Sequence, residues 1–287
     1  LAEASPGSAL RGDSAYGKWG VAVARMAGLP VTLYSGELFD DATAIISPRD
    51  KSLVPAIWAF CSGGDFQKEV RRINQKVSVA NATLVKVPFD LAHWQRLAAE
   101  KYPHGLPMPH SDDPTQWLFS GHPKGAENPL QVAVARLLGY RWPRQNGSSF
   151  PDCPALDPDG LESLADDDGI VCVPAAGQEQ PAENRLRALL AAAFGAEWSA
   201  AKESEILAQA GYGGKSMEDW LRNGFAEQHG KLLHQRPFIW HLWDGRKDGF
   251  SALVNYHKLD RALLDKLVYT YLGDWITRQE SGVQSGE

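Results

Sequence analysis

One segment near the middle of the chain limits how the rest can fold. Residues 143–169 are rich in Pro, Gly, Ser and Asp and show neither helical nor strand spacing of apolar residues. Such a stretch is typical of a linker between separately packed bodies. The 287 residues suffice for a core on each side. We therefore predict a domain over residues 18–145, an acidic linker over 146–169 and a second domain over 170–287, with residues 1–17 as a tail or the boundary of a longer chain.

The negative charge of the chain is concentrated in the same region. The net charge is −6, yet residues 150–170 alone contain six aspartates, one glutamate and no lysine or arginine. We expect these acidic side chains to lie in a solvated loop. Because the remaining residues carry a net charge of about +1, the overall acidity does not exclude a nucleic-acid partner.

The segment before the linker alternates short β-rich runs with helical patterns. The predicted strands are Val21–Ala24, Val31–Tyr34 and Thr43–Ser47, and the predicted helices are Leu53–Cys61, residues 66–75, Leu91–Lys101 and residues 129–140. Asp65 is expected to cap the second of these helices. Residues 76–90 are expected to return to β character around an Asn81-Ala82-Thr83 turn.

The segment after the linker is richer in helical patterns. It predicts a short buried strand and several helices, one opened by a capping box of Ser216 and Asp219. The predicted strand is Ile170–Val173, and the predicted helices are residues 182–197, 200–210, 216–233 and 259–278. The chain as a whole is therefore predicted to be α+β, with a mixed short-strand and helix domain followed by an α-rich C-terminal region.

Residues 237–257, PFIWHLWDGRKDGFSALVNYH, predict a β-hairpin. Two bulky runs, Phe238–Trp243 and Phe250–Tyr256, flank a polar turn that contains two glycines. Both faces of the first strand carry large side chains, as expected for a strand that is covered on both sides. A stacking platform for single-stranded nucleic acid would leave one face polar and basic. We therefore favour a structural hairpin packed under the last helix, with its turn exposed.

Several broad classes of protein are disfavoured by the sequence. No run of about eighteen apolar residues exists that would span a membrane, and the N-terminus does not have the pattern of a signal peptide. Cys61, Cys153 and Cys172 are odd in number and far apart, which argues against a disulfide framework or a zinc knuckle. A reducing cytoplasm is the expected compartment.

The motifs that would identify a catalytic centre are not convincing. The string GYGGKS at 211–216 lacks the first glycine of a phosphate-binding loop and is interpreted as a helix stop followed by a cap. His229 and His234 are five residues apart, which does not suit a shared metal ion on one helix face. The string Asn128-Pro129-Leu130 lacks the second proline and the aromatic residue of a base-modifying turn, so it predicts a helix start. We expect no catalytic residue, metal or cofactor site in this chain.

Three blocks of the sequence nevertheless resemble a known family. They are residues 29–94, beginning LPVTLYSGELFDDATAIISPRD; residues 129–143, PLQVAVARLLGYRWP; and residues 236–276, beginning RPFIWHLWDGRKDGFSALVNYH. These blocks are similar to the C-terminal part of bacterial type II restriction enzyme methylase subunits and of phage-exclusion adenine methyltransferases. The resemblance implies a target-recognition and C-terminal region of an adenine-specific DNA methyltransferase. The catalytic domain of such an enzyme, which binds S-adenosylmethionine, would be a separate part of the parent protein.

The resemblance also indicates where double-stranded DNA would bind. In that family an alternation of short strands and a helix builds the recognition fold, and the richest basic run of this chain, Lys68–Lys76, lies in such a region. A second strip includes Arg136 and surrounds a loop rich in His and Gln. The candidate DNA-binding residues are Lys68, Arg71, Arg72, Lys76, Asn81, Thr83, Lys86, Lys124, Arg141, Arg144, Arg246 and Lys247.

Other interpretations stay open at this point. The basic helix has the pattern of an ordinary solvated face, since lysine and arginine often line the outside of an amphipathic helix. The net acidity favours a protein-interaction scaffold that docks the catalytic domain or a partner subunit and has little affinity for DNA. A metal-dependent nuclease that uses Asp166–Asp168 is the weakest alternative, because the calcium-loop and nuclease spacings are absent.

Overall fold

The computed structural model of the protein describes residues 12–106, 110–147 and 155–285. These residues form two compact units. Unit 1 comprises residues 12–106, and unit 2 comprises residues 110–147 together with residues 155–285. Both units combine helices with a small antiparallel sheet, which confirms the predicted α+β class. Residues 1–11 of the predicted tail and residues 148–154 of the predicted linker lie outside the described residues.

Unit 1 begins with a three-stranded antiparallel sheet. Its strands are β1 (Gly20–Ala24), β2 (Val31–Tyr34) and β3 (Thr43–Ile46), in the spatial order β2-β1-β3. The central strand β1 buries Val21 and Val23 completely. Gly20 is required where β1 meets β3, because a Cβ atom there would lie 2.3 Å from the carbonyl oxygen of Ile46. The three strand predictions are confirmed to within one residue.

Helices follow the sheet of unit 1. They are α1 (Val54–Cys61), α2 (Gly64–Ile73), α3 (Asn81–Leu84) and α4 (Leu91–Lys101). The core contains a cluster of aromatic rings. The centroid of the Phe60 ring in α1 lies 5.5 Å from that of Phe66 in α2 and 5.0 Å from that of Trp94 in α4. The spacing of apolar residues in the sequence predicted α1, α2 and α4, because the apolar residues of each helix form the face that packs into this cluster.

Two local predictions for unit 1 are wrong. Gly63 is the residue that precedes α2, so Asp65 lies inside the first turn and pairs with Lys68 instead of capping the helix. Residues 81–84 form the helix α3 instead of a turn between strands. The described part of unit 1 has no strand that could pair with this region beyond one bridge between Met26 and Ser78. The backbone therefore closes helical hydrogen bonds with itself.

Unit 2 is built mainly from helices around one small sheet. Its elements in chain order are α5 (Pro129–Leu137), α6 (Pro143–Asn146), β4 (Ile170–Cys172), α7 (Ala182–Phe194), α8 (Ala200–Gln209), α9 (Met217–Asn223), α10 (Phe225–Leu232), β5 (Ile239–Trp243), β6 (Ser251–Asn255), α11 (Arg261–Lys266), a π-helical stretch (Leu267–Leu272) and α12 (Gly273–Ser285). Most of these were predicted. Three elements depart from the prediction. α6 lies in the segment 143–169, for which no helix was predicted, and the last helical segment continues past residue 278 to Ser285. Residues 216–233, predicted as one helix, form two, because Gly224 separates α9 from α10 and packs so closely on the Tyr212 ring that a Cβ atom would lie 2.5 Å away.

The boundary between the units differs from the predicted one. Residues 110–147 belong to unit 2, whereas the sequence prediction placed residues up to 145 with the preceding strands. The reason is the position of α5. Every residue of this helix is buried, and it packs against α7, α8 and the short 3-10 helix of residues 161–164 in the core of unit 2. A helix that is buried on all sides needs a large core around it, and unit 2 provides that core together with hydrogen-bond partners for Gln131 and Arg136, the two polar side chains of α5.

The predicted hairpin is confirmed as β5 and β6, but its two strands have different environments. The sheet order is β4-β6-β5, so β6 is central and all five of its residues are buried. One face of β6 packs on Leu267 and Tyr271 of the last helical segment, as predicted. β5 lies at the edge of the sheet, and only Ile239 of its five residues is buried. The prediction that β5 is covered on both faces is wrong.

Within the described residues, no helix combines the length and the apolar character that crossing a membrane requires.

Candidate nucleic-acid interface

Unit 1 presents several exposed cations between residues 68 and 86. Lys68 and Arg72 lie on α2 with side chains that are 75% and 76% exposed, and the side chains of Lys76 and Lys86 are also exposed. Lys68 and Arg72 each pair with a carboxylate of the same helix, at 3.4 Å and 2.9 Å. Such exposed pairs contribute at most about 1 kcal/mol. A DNA phosphate can therefore compete for both cations at little cost.

Arg71 has a structural role and does not belong to this set. Its guanidinium group donates hydrogen bonds to the carbonyl oxygens of Lys76 and Ala27. It therefore joins the loop after α2 to the turn between β1 and β2, two segments that are far apart in sequence. Two of its five N–H donors are thus engaged within the fold, and a role of Arg71 in DNA contact stays a prediction for the others.

The two polar residues predicted beside the basic run differ in accessibility. Thr83 is buried, and its Oγ1 accepts a hydrogen bond of 3.3 Å from the Asn74 side-chain amide. This bond ties α3 to the end of α2. Asn81 begins α3 and is exposed. Asn81 therefore stays a candidate for contact with DNA, whereas Thr83 positions α3.

Exposed apolar side chains accompany the cations, and the sequence interpretation missed them. Met26 is 51% exposed, Val77 is 67% exposed and Val85 is 82% exposed. A signal was present, because Val77 and Val85 each adjoin a lysine and neither fits the helical spacing of its neighbours. Among the described residues, unit 1 thus combines cations and apolar side chains on the segments that adjoin α2 and α3.

The two units differ in net charge. The described residues of unit 1 contain eleven lysines and arginines and nine aspartates and glutamates, a net charge of +2. The described residues of unit 2 contain seventeen lysines and arginines and twenty-three aspartates and glutamates, which gives a net charge of −6. A polyanionic ligand is therefore favoured by unit 1 and repelled on average by unit 2.

The second predicted strip, which lies in unit 2, is largely engaged within the fold. Lys124 forms an ion pair of 2.8 Å with Glu197. Arg141 is exposed and donates to the carbonyl oxygen of Gln145 at 2.9 Å. Arg144 is buried within α6. These residues do not form a row of exposed cations.

Arg136 of the same strip is buried and organises the acidic segment. Its guanidinium group makes two hydrogen bonds to the Asp159 carboxylate, at 2.7 Å and 2.8 Å, and a third to the carbonyl oxygen of Gly121. Burial by itself would raise the pKa of Asp159, but the Arg136 guanidinium and the Leu161 N–H outweigh it and hold that pKa below its usual range. Arg136 is therefore an internal counter-ion for the acidic segment.

Two of the three consecutive aspartates of this segment, Asp166 and Asp168, also have side chains engaged within the fold. Asp166 is buried, accepts backbone N–H groups of residues 168–170 and pairs with Arg185 at 2.8 Å. Asp168 accepts hydrogen bonds from Lys266 and from the Tyr271 hydroxyl. Burial opposes ionisation of Asp168, but bonds from Asp166 and Lys266 outweigh it and lower its pKa to about 2. The prediction of a solvated acidic loop is therefore wrong for Asp166, which is fastened to α7, and for Asp168, which joins the last helical segment to β4, whereas Asp157 and Asp167 are exposed as predicted.

The hairpin presents aromatic rings at the edge of unit 2. Trp240 and Tyr256 stack with centroids 5.5 Å apart and planes 9° apart, and both are nearly half exposed. Trp243 is 60% exposed. Arg246 and Lys247 lie in the exposed turn as predicted, and Asp244 shapes that turn by accepting from the backbone N–H of Arg246. The edge strand therefore offers an accessible aromatic surface that the sequence interpretation assigned to the core.

His229 is buried in the core of unit 2. Its Nδ1 lies 3.1 Å from the Oε1 of Gln131, and its Nε2 accepts the backbone N–H of Ile239 at 3.3 Å. This pair of bonds fixes the neutral ring with its proton on Nδ1. Burial lowers the pKa of His229 to about 4. The ring therefore joins α10, α5 and β5.

A cavity of about 290 Å³ lies beside the start of α5 in unit 2. Asn128-Pro129-Leu130, which does start a helix as predicted, forms one wall, and the buried Trp220 forms another. The polar group nearest the ring is already used, since the Gln228 side chain accepts from the Trp220 indole N–H and donates to the carbonyl oxygen of Ala210. The Trp220 indole and the Gln228 amide are therefore engaged within the fold.

Among the residues that the structure describes, no group of three or more His, Cys, Asp or Glu side chains is arranged to hold a metal ion. No protein-family model matches the chain, and no curated protein matches its sequence.

Proposed function

We propose that the chain is the DNA target-recognition and C-terminal portion of an adenine-specific methyltransferase of the restriction-modification type. The part of this proposal that the geometry supports is binding of duplex DNA by unit 1. In the proposal, S-adenosylmethionine and the methyl transfer belong to a catalytic domain of the parent protein, with which this chain acts in the cytoplasm. The resemblance of three sequence blocks supports the enzyme class.

One observation carries the DNA-binding part of the proposal. Lys68, Arg72, Lys76 and Lys86 lie exposed on connected segments of the unit that has a net positive charge. Phosphate contacts from lysine and arginine supply most of the affinity for duplex DNA and make it dependent on salt. The hydrogen bond between Asn74 and Thr83 and the bracing by Arg71 hold these segments in place. The phosphates would therefore meet cations on a rigid scaffold.

The experiment that tests this proposal is fluorescence anisotropy of the full chain with random-sequence duplexes at about 50 and 200 mM salt. If four phosphates are contacted, the association constant falls roughly a hundredfold between these concentrations, since each contact adds about −0.9 to the slope of log K against log salt. Replacement of Lys68, Arg72, Lys76 and Lys86 by Gln is expected to reduce that slope by about 3 to 4.

A matched control separates a specific surface from net charge. Lys18, Arg49, Arg96 and Lys101 are also exposed in unit 1, and their replacement by Gln removes the same four charges. The control variant is expected to keep most of the salt slope. Equal losses in the two variants would show that DNA responds to the overall charge of the unit, and absence of binding at low salt would refute the proposal.

A second function, protein docking, is favoured by a different observation in unit 2. This unit has a net charge of −6 and carries exposed Trp240 and Trp243 on its edge strand. Exposed apolar surface of this kind often marks a protein interface. In this alternative, unit 2 docks the catalytic domain or a partner subunit. The test mixes the chain with the separately produced catalytic domain. Docking would be favoured over DNA recognition if the wild-type chain binds that domain but not DNA, and if the W240A/W243A variant no longer binds the domain.

A further inference from the structure

We infer that the open edge of β5 binds the β5 strand of a second copy of this chain, so that the three-stranded sheets of two copies join across a twofold axis at Leu242. Because this pairing concerns unit 2, it is independent of the proposed DNA binding by unit 1. The occupant of the aromatic edge is then a second copy, in place of the catalytic domain or partner subunit considered above.

The first support is the direction of the backbone groups along β5, which pairs with β6 on one side only. On the other side the Ile239 N–H donates to Nε2 of His229 at 3.3 Å, so the backbone of Ile239 faces away from β6. Because backbone groups point to alternate sides along an antiparallel strand, those of His241 and Trp243 also face away from β6. The part of the chain that the structure describes provides no hydrogen-bond partner for these groups. Two N–H and two C=O groups therefore remain open at this edge.

The second support is the length of the open edge, which suits a second copy. Ile239 is already occupied by α10 and Asp244 begins the turn, so the open backbone extends from His241 to Trp243. With a twofold axis at Leu242, His241 of each copy faces Trp243 of the other, and each such pair exchanges two hydrogen bonds. All the open groups of both strands are then used. A longer strand from another protein would gain no further backbone bond at Ile239, because α10 covers it.

The third support is the apolar surface along this edge. Trp240 is 44% exposed, Leu242 is 36% exposed and Trp243 is 60% exposed. Among the described residues, the other edge strands β2, β3 and β4 contain no large apolar side chain that is exposed in this way. β5 also lacks the lysine or proline that commonly protects an open edge from pairing. An exposed edge of this composition favours pairing with another strand.

The exposed area indicates how strong this pairing is. With about 250 Å² for a whole tryptophan and about 200 Å² for a tyrosine, the exposed parts of Trp240, Trp243 and Tyr256 amount to roughly 350 Å² in one copy. Two copies therefore have roughly 700 Å² of ring surface to cover, in addition to Leu242 and the backbone. Stable interfaces usually bury about 1,200 Å² or more. We therefore expect a weak dimer with a dissociation constant in the micromolar range or above.

The twofold register provides a specific test, because it places Leu242 opposite Leu242 of the second copy. In an antiparallel pair, a residue between two hydrogen-bonded pairs has its Cα about 4.5 Å from the Cα opposite, with the side chains in contact. Replacement by Lys or by Glu brings two like charges together at this position. A mixture of the two variants can instead place Lys opposite Glu, which restores an attractive pair.

The experiment is sedimentation velocity of the full chain from about 5 to 500 μM, at about 150 mM salt to screen the repulsion between two chains of net charge −6. The wild type is expected to shift from the monomer mass towards twice that mass. Leu242→Lys and Leu242→Glu are each expected to weaken association about tenfold or more. An equimolar mixture of the two variants is expected to associate to within about threefold of the wild type.

The matched control is Ile276→Lys and Ile276→Glu on α12, where the native side chain is 47% exposed. Neither control variant is expected to change association, and an equal loss in them would overturn the assignment of the dimer to β5. A wild-type chain that stays monomeric at every concentration would overturn the inference and leave another protein as the occupant of this edge. A mixture of Leu242→Lys and Leu242→Glu that associates no better than either variant alone would overturn the twofold pairing. Each of these outcomes leaves the DNA-binding test of unit 1 unaffected.

Discussion

The buried imidazole of His229 makes the stability of unit 2 depend on pH in a way that can be worked out from its surroundings. The ring is 2% exposed, and each of its nitrogens already has one partner. A second proton would have to sit on Nε2, facing the Ile239 N–H. The folded state therefore resists protonation, which is why the pKa of His229 falls from the usual 6.5 to about 4.

The sign and the size of the effect follow from these two pKa values. Between pH 6.5 and pH 4 the unfolded chain binds a proton at this position that the folded chain does not, so stability is complete above pH 6.5 and is lost as pH falls. For one such group the loss amounts to about 2 kcal/mol at pH 5 and approaches roughly 3 kcal/mol at pH 4.

The measurement compares wild type with His229→Gln by urea unfolding at pH 8, 7, 6 and 5, followed by tryptophan fluorescence. Trp220 is one of the ten tryptophans that contribute to this signal, and its ring contacts Phe225, whose centroid lies 5.1 Å from that of the His229 ring. The variant is less stable at pH 8 because two hydrogen bonds are changed. The gap between the two proteins is expected to narrow by about 2 kcal/mol from pH 8 to pH 5, since Gln does not titrate.

A control and a contradicting outcome accompany this experiment. Leu189→Ala removes a fully buried, non-titrating side chain from the same core and is expected to cost about 2–5 kcal/mol at every pH. A gap between wild type and His229→Gln that stays constant from pH 8 to pH 5 would show that the ring is not held neutral in the folded state.

Two further predictions concern groups that the fold removes from solvent. Arg136→Met should lower the free energy of unfolding by about 3 kcal/mol, because Asp159 is left without its bidentate partner; a shift in the urea midpoint worth less than about 1 kcal/mol would contradict this. Cys61 and Cys172 should resist alkylation of the native protein, because burial raises the pKa of both thiols to about 12. The native protein is labelled at pH 8 and its peptides are mapped by mass spectrometry. Modification of either cysteine would contradict this prediction.

Local structure was largely predictable from the sequence. Periodic apolar spacing predicted α1, α4 and the three strands of unit 1 nearly to the residue, because spacing records which side of an element faces a core. The capping box at Ser216 and the hairpin signal around Gly245 were equally reliable, since both depend on backbone chemistry within a few residues.

The environment of each element was decided by tertiary structure. Whether the aromatic residues of β5 are buried depends on whether another strand or helix covers them, and sheet order leaves β5 at the edge. The partner of Asp159 is Arg136, twenty-three residues away, and that of Arg71 includes Ala27, forty-four residues away. Charge in the sequence is a property of composition, whereas the availability of a charge depends on these distant pairings.

The sequence by itself thus determined the α+β class, most element bounds and the basic character of residues 68–86. Only the tertiary structure decided which cations remain free to meet a ligand, because burial and ion pairing act through contacts between distant segments. It retained Lys68, Arg72, Lys76 and Lys86 on the surface of unit 1 and placed Met26, Val77 and Val85 on segments that adjoin or pair with theirs. It also withdrew Arg136 and Arg144 into the interior of unit 2, where they stabilise the fold.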